Sequence, residues 1–373
     1  MSTRLFLLPA LLLGCAPSAP PAPHAPGVKA RATQLPATVD AFIDQKPSDA
    51  CADEAQRGAE GARALFTAAS KLHTWPVHYP SVVSHRLLAC GRDCPTEGND
   101  DGLLDDWFMG HLTEDDAPKL HRGELLALAA ELDLRPGKPL RFASGSYATV
   151  GELLADAAAT HAVPPTTLWD GREGTKGAVY GWELQAFCQY LGPVGAIRDG
   201  WTVPEAVAAV AAIGPNTHTE AGTHDLEGLA LCMAESRGVD LPAEADRVYG
   251  EVETVLNRRL DQDLAQAVDG QLYRDDDSFD GCSSDSIACD HLAMLLRQAH
   301  FVEWSSLAEP SCTEPYRAAL TRFADLTEAT RTALDDPDAL ESTQDPMSAL
   351  TVLASTHALH AGRRLAWRYG EER

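Results

Sequence analysis

The sequence predicts an all-α protein, a ring of about six helical hairpins in an inner and an outer layer. Three observations carry this. From Val39 onward long helical patterns alternate with loops, and one of them places Leu226, Leu229, Ala230, Met233 and Ala234 on a single helical face. The same design, a polar head followed by an apolar body, returns at Leu184, Phe187, Cys188 and Leu191 and at Leu292, Leu295, Leu296 and Ala299. Strand-like runs are nearly absent, and only Leu140 to Phe142 and Gln271 to Tyr273 are suited to brief pairing. A chain of 373 residues buries a sizeable core, and a repetitive helical array of this length folds as one domain.

Taken in order, the chain opens with Arg4 and the apolar run Leu5 to Leu13, too short to span a bilayer but suited to a signal-peptide core. The run ends in Leu12-Leu13-Gly14-Cys15. This resembles the lipobox of bacterial lipoproteins, which implies that residues 1–14 are a signal peptide and that Cys15 is lipidated as the mature N-terminus. Ala16 stands where an Asp would retain such a protein in the inner membrane, so the resemblance points to the outer membrane of a Gram-negative envelope. An ordinary secretory signal with an incidental cysteine is the competing reading. Residues 15–38 are rich in Pro and Ala and read as an extended tether, with the folded domain at 39–373.

Within that domain, helical patterns run from Asp53 to Leu72, Ser81 to Cys90, Leu103 to His111 and Lys119 to Asp133. Thr149-Val150-Gly151-Glu152 and Thr202-Val203-Pro204-Glu205 are both capping boxes, each opening an Ala-rich outer helix. After each come a loop and an inner helix. The unit continues as Pro242 to Leu260 with Ser284 to His300, and as Thr313 to Leu334 with Pro346 to Tyr369. Over 39–373 this layout resembles the α/α toroid shared by many glycoside hydrolases, polysaccharide lyases, epimerases and terpene cyclases. The paired Cys and His zinc ligands of lanthipeptide cyclases and the Asp-rich motifs of terpene cyclases are missing. An α-solenoid is the alternative, and long loops on one side count against it.

Charge and cysteine content bound the partners. The balance of 30 Lys plus Arg against 55 Asp plus Glu gives a net charge of −25. Nucleic acid is excluded as a partner, and attachment to the membrane falls to the lipid anchor. Export allows the eight cysteines beyond Cys15 to pair. Cys90 with Cys94 and Cys282 with Cys289 are local candidates, and Cys51 and Cys312 are suited to a long-range bridge. Aligning two inner helices by their leucines sets Cys188 opposite Ala230, so Cys188 and Cys232 read as buried free thiols.

Candidate chemistry lies at the heads of the inner helices. These supply Glu183, His224, Asp225 and His291 as acid or base groups, with Trp182 and Asp290 as substrate-binding groups. Acid and base side chains on separate helices suit glycosidic cleavage or sugar proton abstraction, and a tryptophan face suits a sugar ring. The competing reading is that first-turn acids cap their helices and bond loop backbone. His218, Glu220 and His224 are a candidate divalent site, with zinc as its natural ion. Asp276 to Gly281 and Glu97 to Gly102 begin like calcium loops, but Ile287 stands where the first would need its bidentate Glu. His357 and His360 on the last inner helix, with His85, join the cavity if the ring closes; His357 lies on an apolar stripe and reads as a core histidine. No Gly-rich phosphate loop, no Gly-x-Ser-x-Gly elbow and no His-Glu-x-x-His helix occurs, which argues against nucleotide enzymes, serine hydrolases and common metalloproteases.

The resulting expectation is an envelope-anchored lipoprotein whose helical-ring cavity binds, and in the stronger form cleaves, an extracytoplasmic polymer, with a glycan as the leading class. The opposing expectation is a non-catalytic envelope protein that presents its acidic surface to a protein partner.

Overall fold

Some helices are buried on nearly every side and others along one stripe only, and this difference sorts them into core and surface elements. The computed structural model describes residues 49–69, 124–131, 134–141, 147–160, 180–212, 220–273, 287–308, 312–334 and 346–369. All fall within one compact unit, Pro36–Arg373. The lipobox and tether, the predicted helices at 81–90 and 103–111, both calcium-like loops, His85, His218, Cys90, Cys94 and Cys282 lie outside the described residues.

A 3-10 turn at Asp49–Cys51 leads into α1 (Ala52–Ala69), and α2 (Glu124–Glu131) follows. A ribbon of β1 (Pro139–Arg141) and β2 (Tyr147–Thr149) enters α3 (Val150–Thr160). Next come α4 (Tyr180–Leu191), β3 (Ala196–Arg198), β4 (Trp201–Thr202), α5 (Val203–Ala211) and α6 (Glu220–Ser236). The remainder is α7 (Ala243–Asp269), α8 (Ile287–Ala308), α9 (Glu314–Leu334) and α10 (Pro346–Tyr369). The protein is all-α, as its periodicity predicts. Among the described residues no helix is long and apolar enough to cross a membrane.

Both capping boxes form. Glu152 accepts the backbone N–H of Thr149 at 2.7 Å while the Thr149 hydroxyl accepts the N–H of Glu152 at 3.1 Å. Thr202 and Glu205 repeat the arrangement at α5. Each cap follows a short antiparallel ribbon. Leu140 pairs with Ala148, and not with Gln271 to Tyr273, which form a turn behind Gly270 at the end of α7. The second ribbon, Ala196 with Thr202 and Arg198 with Trp201, is too short to show a period-2 pattern in sequence.

Along α6 every described side chain from Thr223 to Ala234 is buried, and α10 is buried from Ala354 to Gly362. By contrast α7 buries one stripe, including Ala245, Val248, Tyr249, Val252 and Leu256, and α9 buries Tyr316, Ala319, Leu320 and Phe323. Packing runs in succession from α2 to α4, α6, α8 and α10, with α1 laid across α10 and α9. Helix α8 continues to Ala308 because Phe301, Val302, Trp304 and Leu307 prolong its buried face past His300, where the sequence reading ends it.

The tightest crossing joins α4 to α6. A Cβ at Gly181 would lie 1.9 Å from the His224 carbonyl oxygen, and one at Gly228 would lie 2.4 Å from that of Gly181. Asp225 Oδ1 accepts the Gly181 N–H at 2.8 Å across the same contact. These glycines set a register that alignment by leucines misses, and that register corrects the cysteine assignment. Cys188 and Cys232 are not free thiols but a disulfide between α4 and α6, with Cα atoms 5.3 Å apart. Cys51 and Cys312 form the expected long-range bridge, 261 residues apart in sequence.

Two glycine substitutions test this account with opposite signs. Gly228→Ala is expected to cost about 2–4 kcal/mol in denaturant melts, since a backbone-to-backbone contact has no room to yield. Gly250→Ala, on the exposed side of α7 with nothing within 4 Å of the new Cβ, should add about 0.5–1 kcal/mol.

Candidate metal centre

Three deeply buried helices carry pairs of titratable side chains three residues apart: His224 and Glu227 on α6, His300 and Glu303 on α8, His357 and His360 on α10. Residues at this spacing share one helical face one turn apart. Because α6, α8 and α10 pack in succession and run in the same sense, the pairs form two layers. The first layer is His224, His300 and His357. The second is Glu227, Glu303 and His360, completed by Glu131 from the end of α2 and Arg364 from the next turn of α10.

The three imidazoles of the first layer converge. Ring centroids of His300 and His357 lie 4.0 Å apart, those of His224 and His300 5.0 Å, and those of His224 and His357 5.6 Å. Each offers one ring nitrogen, and these three atoms lie within 4.8 Å of one another. Tetrahedral zinc with Zn–N bonds of about 2.0–2.1 Å places its nitrogens about 3.4 Å apart, so side-chain adjustments of an ångström or so bring the set onto one ion. His224 and His300 are each 1 % exposed and His357 9 %.

Carboxylates hold the imidazoles from behind. Glu303 accepts from His357 Nδ1 at 2.9 and 3.1 Å and stands 3.3 Å from His300 Nδ1. Glu227 Oε2 stands 3.4 Å from His224 Nδ1, and the Thr223 hydroxyl lies 3.3 Å from His300 Nδ1. A carboxylate can only accept, so it fixes the proton on Nδ1 and leaves the lone pair on Nε2, the usual support of a metal-bound histidine. Burial first, and then the neighbouring His357, bring His300 down to about 4, so its imidazole is neutral at physiological pH, as a ligand must be. Burial alone would raise Glu303; the charge of His357 and the hydrogen bonds from His300, His357 and His360 outweigh it and hold the carboxyl well below its usual value.

The second layer is an ion network. His360 Nε2 donates to Glu131 at 2.6 Å and its Nδ1 donates to Glu303 at 3.2 Å, so both ring nitrogens carry protons. Burial opposes that charge, but the facing carboxylates prevail and raise His360 to about 10. Glu131 moves the other way: burial raises it, but His360, Arg364 and Arg363 together bring it down to about 2. Arg364 contacts Glu227 at 2.6 Å and Glu131 at 3.6 Å and donates to the Glu303 carbonyl at 2.9 Å.

The residues expected to act fall into three groups. His224 lies in the imidazole layer and is common to the catalytic and metal candidates; Trp182 stands beside it with ring centroids 4.1 Å apart. Asp225 is buried and committed to the Gly181 N–H, and Glu183 is buried in the first turn of α4. Asp290 is exposed and His291 half-buried near the start of α8. Nine residues separate His291 from His300, about 13 Å along a helix, so α8 contributes its middle and not its head. Glu220 opens α6, which places His224 a full turn inside the helix.

His300, Glu303, Glu227, Glu131 and Arg364 were not among the expected site residues, and His357 reads in sequence as a core histidine. Their signal in the sequence is a pair of titratable residues at i and i+3, repeated on three helices.

The Glu131–His360 pair predicts a pH profile for metal-free protein. Glu131 falls from the usual 4.5 to about 2, so its contribution is present above pH 4.5 and is lost as pH drops toward 2. His360 rises from 6.5 to about 10, so its contribution is complete below pH 6.5 and is lost as pH climbs toward 10. Melting temperature with chelator present should therefore decline on both flanks. His360→Gln should lower stability by about 3–5 kcal/mol and flatten the alkaline flank. Parallel wild-type and variant profiles would rule this assignment out.

No family model, no curated protein and no solved structure matches this chain, so the reading of the site rests on its geometry.

Proposed function

We propose that the chain is a metal-dependent protein of the cell envelope, holding a divalent transition-metal ion between His224, His300 and His357. The convergence of three imidazole nitrogens from three rigid helices within 4.8 Å carries this reading. Imidazoles braced by carboxylates, with His300 held neutral by burial, suit zinc and its first-row neighbours. The zinc site proposed here shares His224 with the set His218, Glu220 and His224 read from the sequence and draws its other partners from farther along the chain.

Export and anchoring at Cys15 fit the two disulfides, Cys51–Cys312 and Cys188–Cys232, since such bonds persist in oxidising compartments. The ring layout finds support in the reach of Glu131 on α2, the first described inner helix, to His360 and Arg364 on α10, the last.

An ion held by three histidines keeps a fourth position for water and lowers its pKa toward about 7, the basis of hydrolytic chemistry. Here His224, His300 and His357 would hold the ion, Glu303 and Glu227 would fix the ring orientations, and Trp182 would wall the His224 side. Hydrolysis of an extracytoplasmic polymer, a glycan first, is the activity proposed for this centre, and Trp182 beside His224 is the contact that favours a sugar. The burial of all three imidazoles favours a second reading, in which the ion is structural and the protein is a non-catalytic envelope scaffold.

Purified full-length protein should retain about one zinc per chain by atomic spectrometry and lose it in His300→Ala. Added zinc at about 100 times its Kd should stabilise metal-free protein by about 2.7 kcal/mol. Folded wild-type protein without bound or stabilising metal would sink the proposal. Release of reducing ends from envelope polysaccharides, abolished by chelator and by His300→Ala, would establish the hydrolase; metal-dependent stability without release from any polymer would establish the scaffold.

A further inference from the structure

We propose that the site is a one-ion centre built on a two-ion frame, in which Arg364 and His360 occupy the place of a second cation and so exclude oxygen-seeking ions such as manganese. The inference rests on the metal reading above and deepens it. Its starting point is the two-layer arrangement. The imidazole layer offers three nitrogen donors. One turn on, about 5 Å along the helices, Glu227 and Glu303 are joined by Glu131 to give three buried carboxyls from three different helices. Glu303 touches both layers, with His357 on one side and His360 on the other. Glu227 does the same, with His224 on one side and Arg364 on the other. Carboxylates spanning two positions in this way are what bridging ligands of a paired-ion site require, and all-oxygen surroundings would suit manganese or magnesium.

The second position is already filled by the chain itself. Arg364 sits between Glu227 at 2.6 Å and Glu131 at 3.6 Å, and His360 sits between Glu131 at 2.6 Å and Glu303 at 3.2 Å. A guanidinium is charged at every accessible pH and is tied here to a backbone carbonyl as well, so an incoming ion cannot displace it by competition for a proton. Two fixed cations set among three carboxylates fill the second position and offset most of its negative charge. The centre should therefore take one nitrogen-seeking ion and refuse a second.

The test counts ions by equilibrium dialysis and reads Mn²⁺ by electron paramagnetic resonance. Wild-type full-length chain should take one Zn²⁺ and no Mn²⁺, before or after zinc loading. Arg364→Lys, which keeps the charge, should behave alike. Arg364→Ala should gain a second equivalent, with Mn²⁺ binding restored at the carboxylates. Removing Arg364 leaves buried carboxylates unpaired, so Arg364→Ala is also produced in medium with and without Mn²⁺; folding rescued by Mn²⁺ counts as the second ion, and no rescue counts against it. Wild type that binds two ions, or an Arg364→Ala protein that folds and still binds only one, overturns the proposal while leaving the three-histidine centre intact. Failure of the wild type to bind any ion instead overturns the metal reading itself.

Discussion

Glu303 is a carboxylate at 1 % exposure, and three histidines from two helices turn toward it. Burying an unpaired carboxylate would cost many kcal/mol, and pairing it with one partner would still leave lone pairs unmet. The requirement to surround it dictates much of the interior. It fixes His300 one turn behind it on α8, and draws α10 in at the height where His357 and His360 bracket it. Through His360 it reaches Glu131, and Arg364, bound to the Glu303 carbonyl, leads to Glu227. This network gives α6, α8 and α10 one register.

The same constraint separates what was legible in the sequence from what was not. Outer helices announce themselves, because a half-exposed helix needs a stripe and a cap, and both Thr-x-x-Glu boxes, at 149–152 and 202–205, were read from the chain and are formed. The all-α class follows from such local signals. Helix partners do not. The crossing of α4 and α6 is decided by Gly181 and Gly228, where the absence of a side chain is the information, and alignment by leucines therefore separated two cysteines that are in fact bonded. In sequence His224 stands at a polar head, whereas His300 reads as the end of its helix because residues 301–308 resemble the core they join. Its role depends on His224 and His357, 76 residues before it and 57 after it. Long-range convergence of that kind is written in no single window of sequence.

Trp182 and Asp225 show how one local feature serves both fold and site. Asp225 caps the start of α4 from α6, so it is a helix anchor first. By anchoring α4 there, it sets Trp182 against His224. The acid and the aromatic group thus share the task of positioning an imidazole.

The bridge from Cys51 to Cys312 closes the chain between them into a covalent loop. That loop contains His224, His300 and the second bridge, Cys188–Cys232, while His357 lies beyond it. A single proteolytic cut anywhere between residues 52 and 311 would leave one molecule, its two pieces still joined by sulfur. Loss of the helix that carries His357 would require a cut on the short remainder after Cys312. The architecture thus confines the single cuts that can separate the three histidines to the segment between Cys312 and His357.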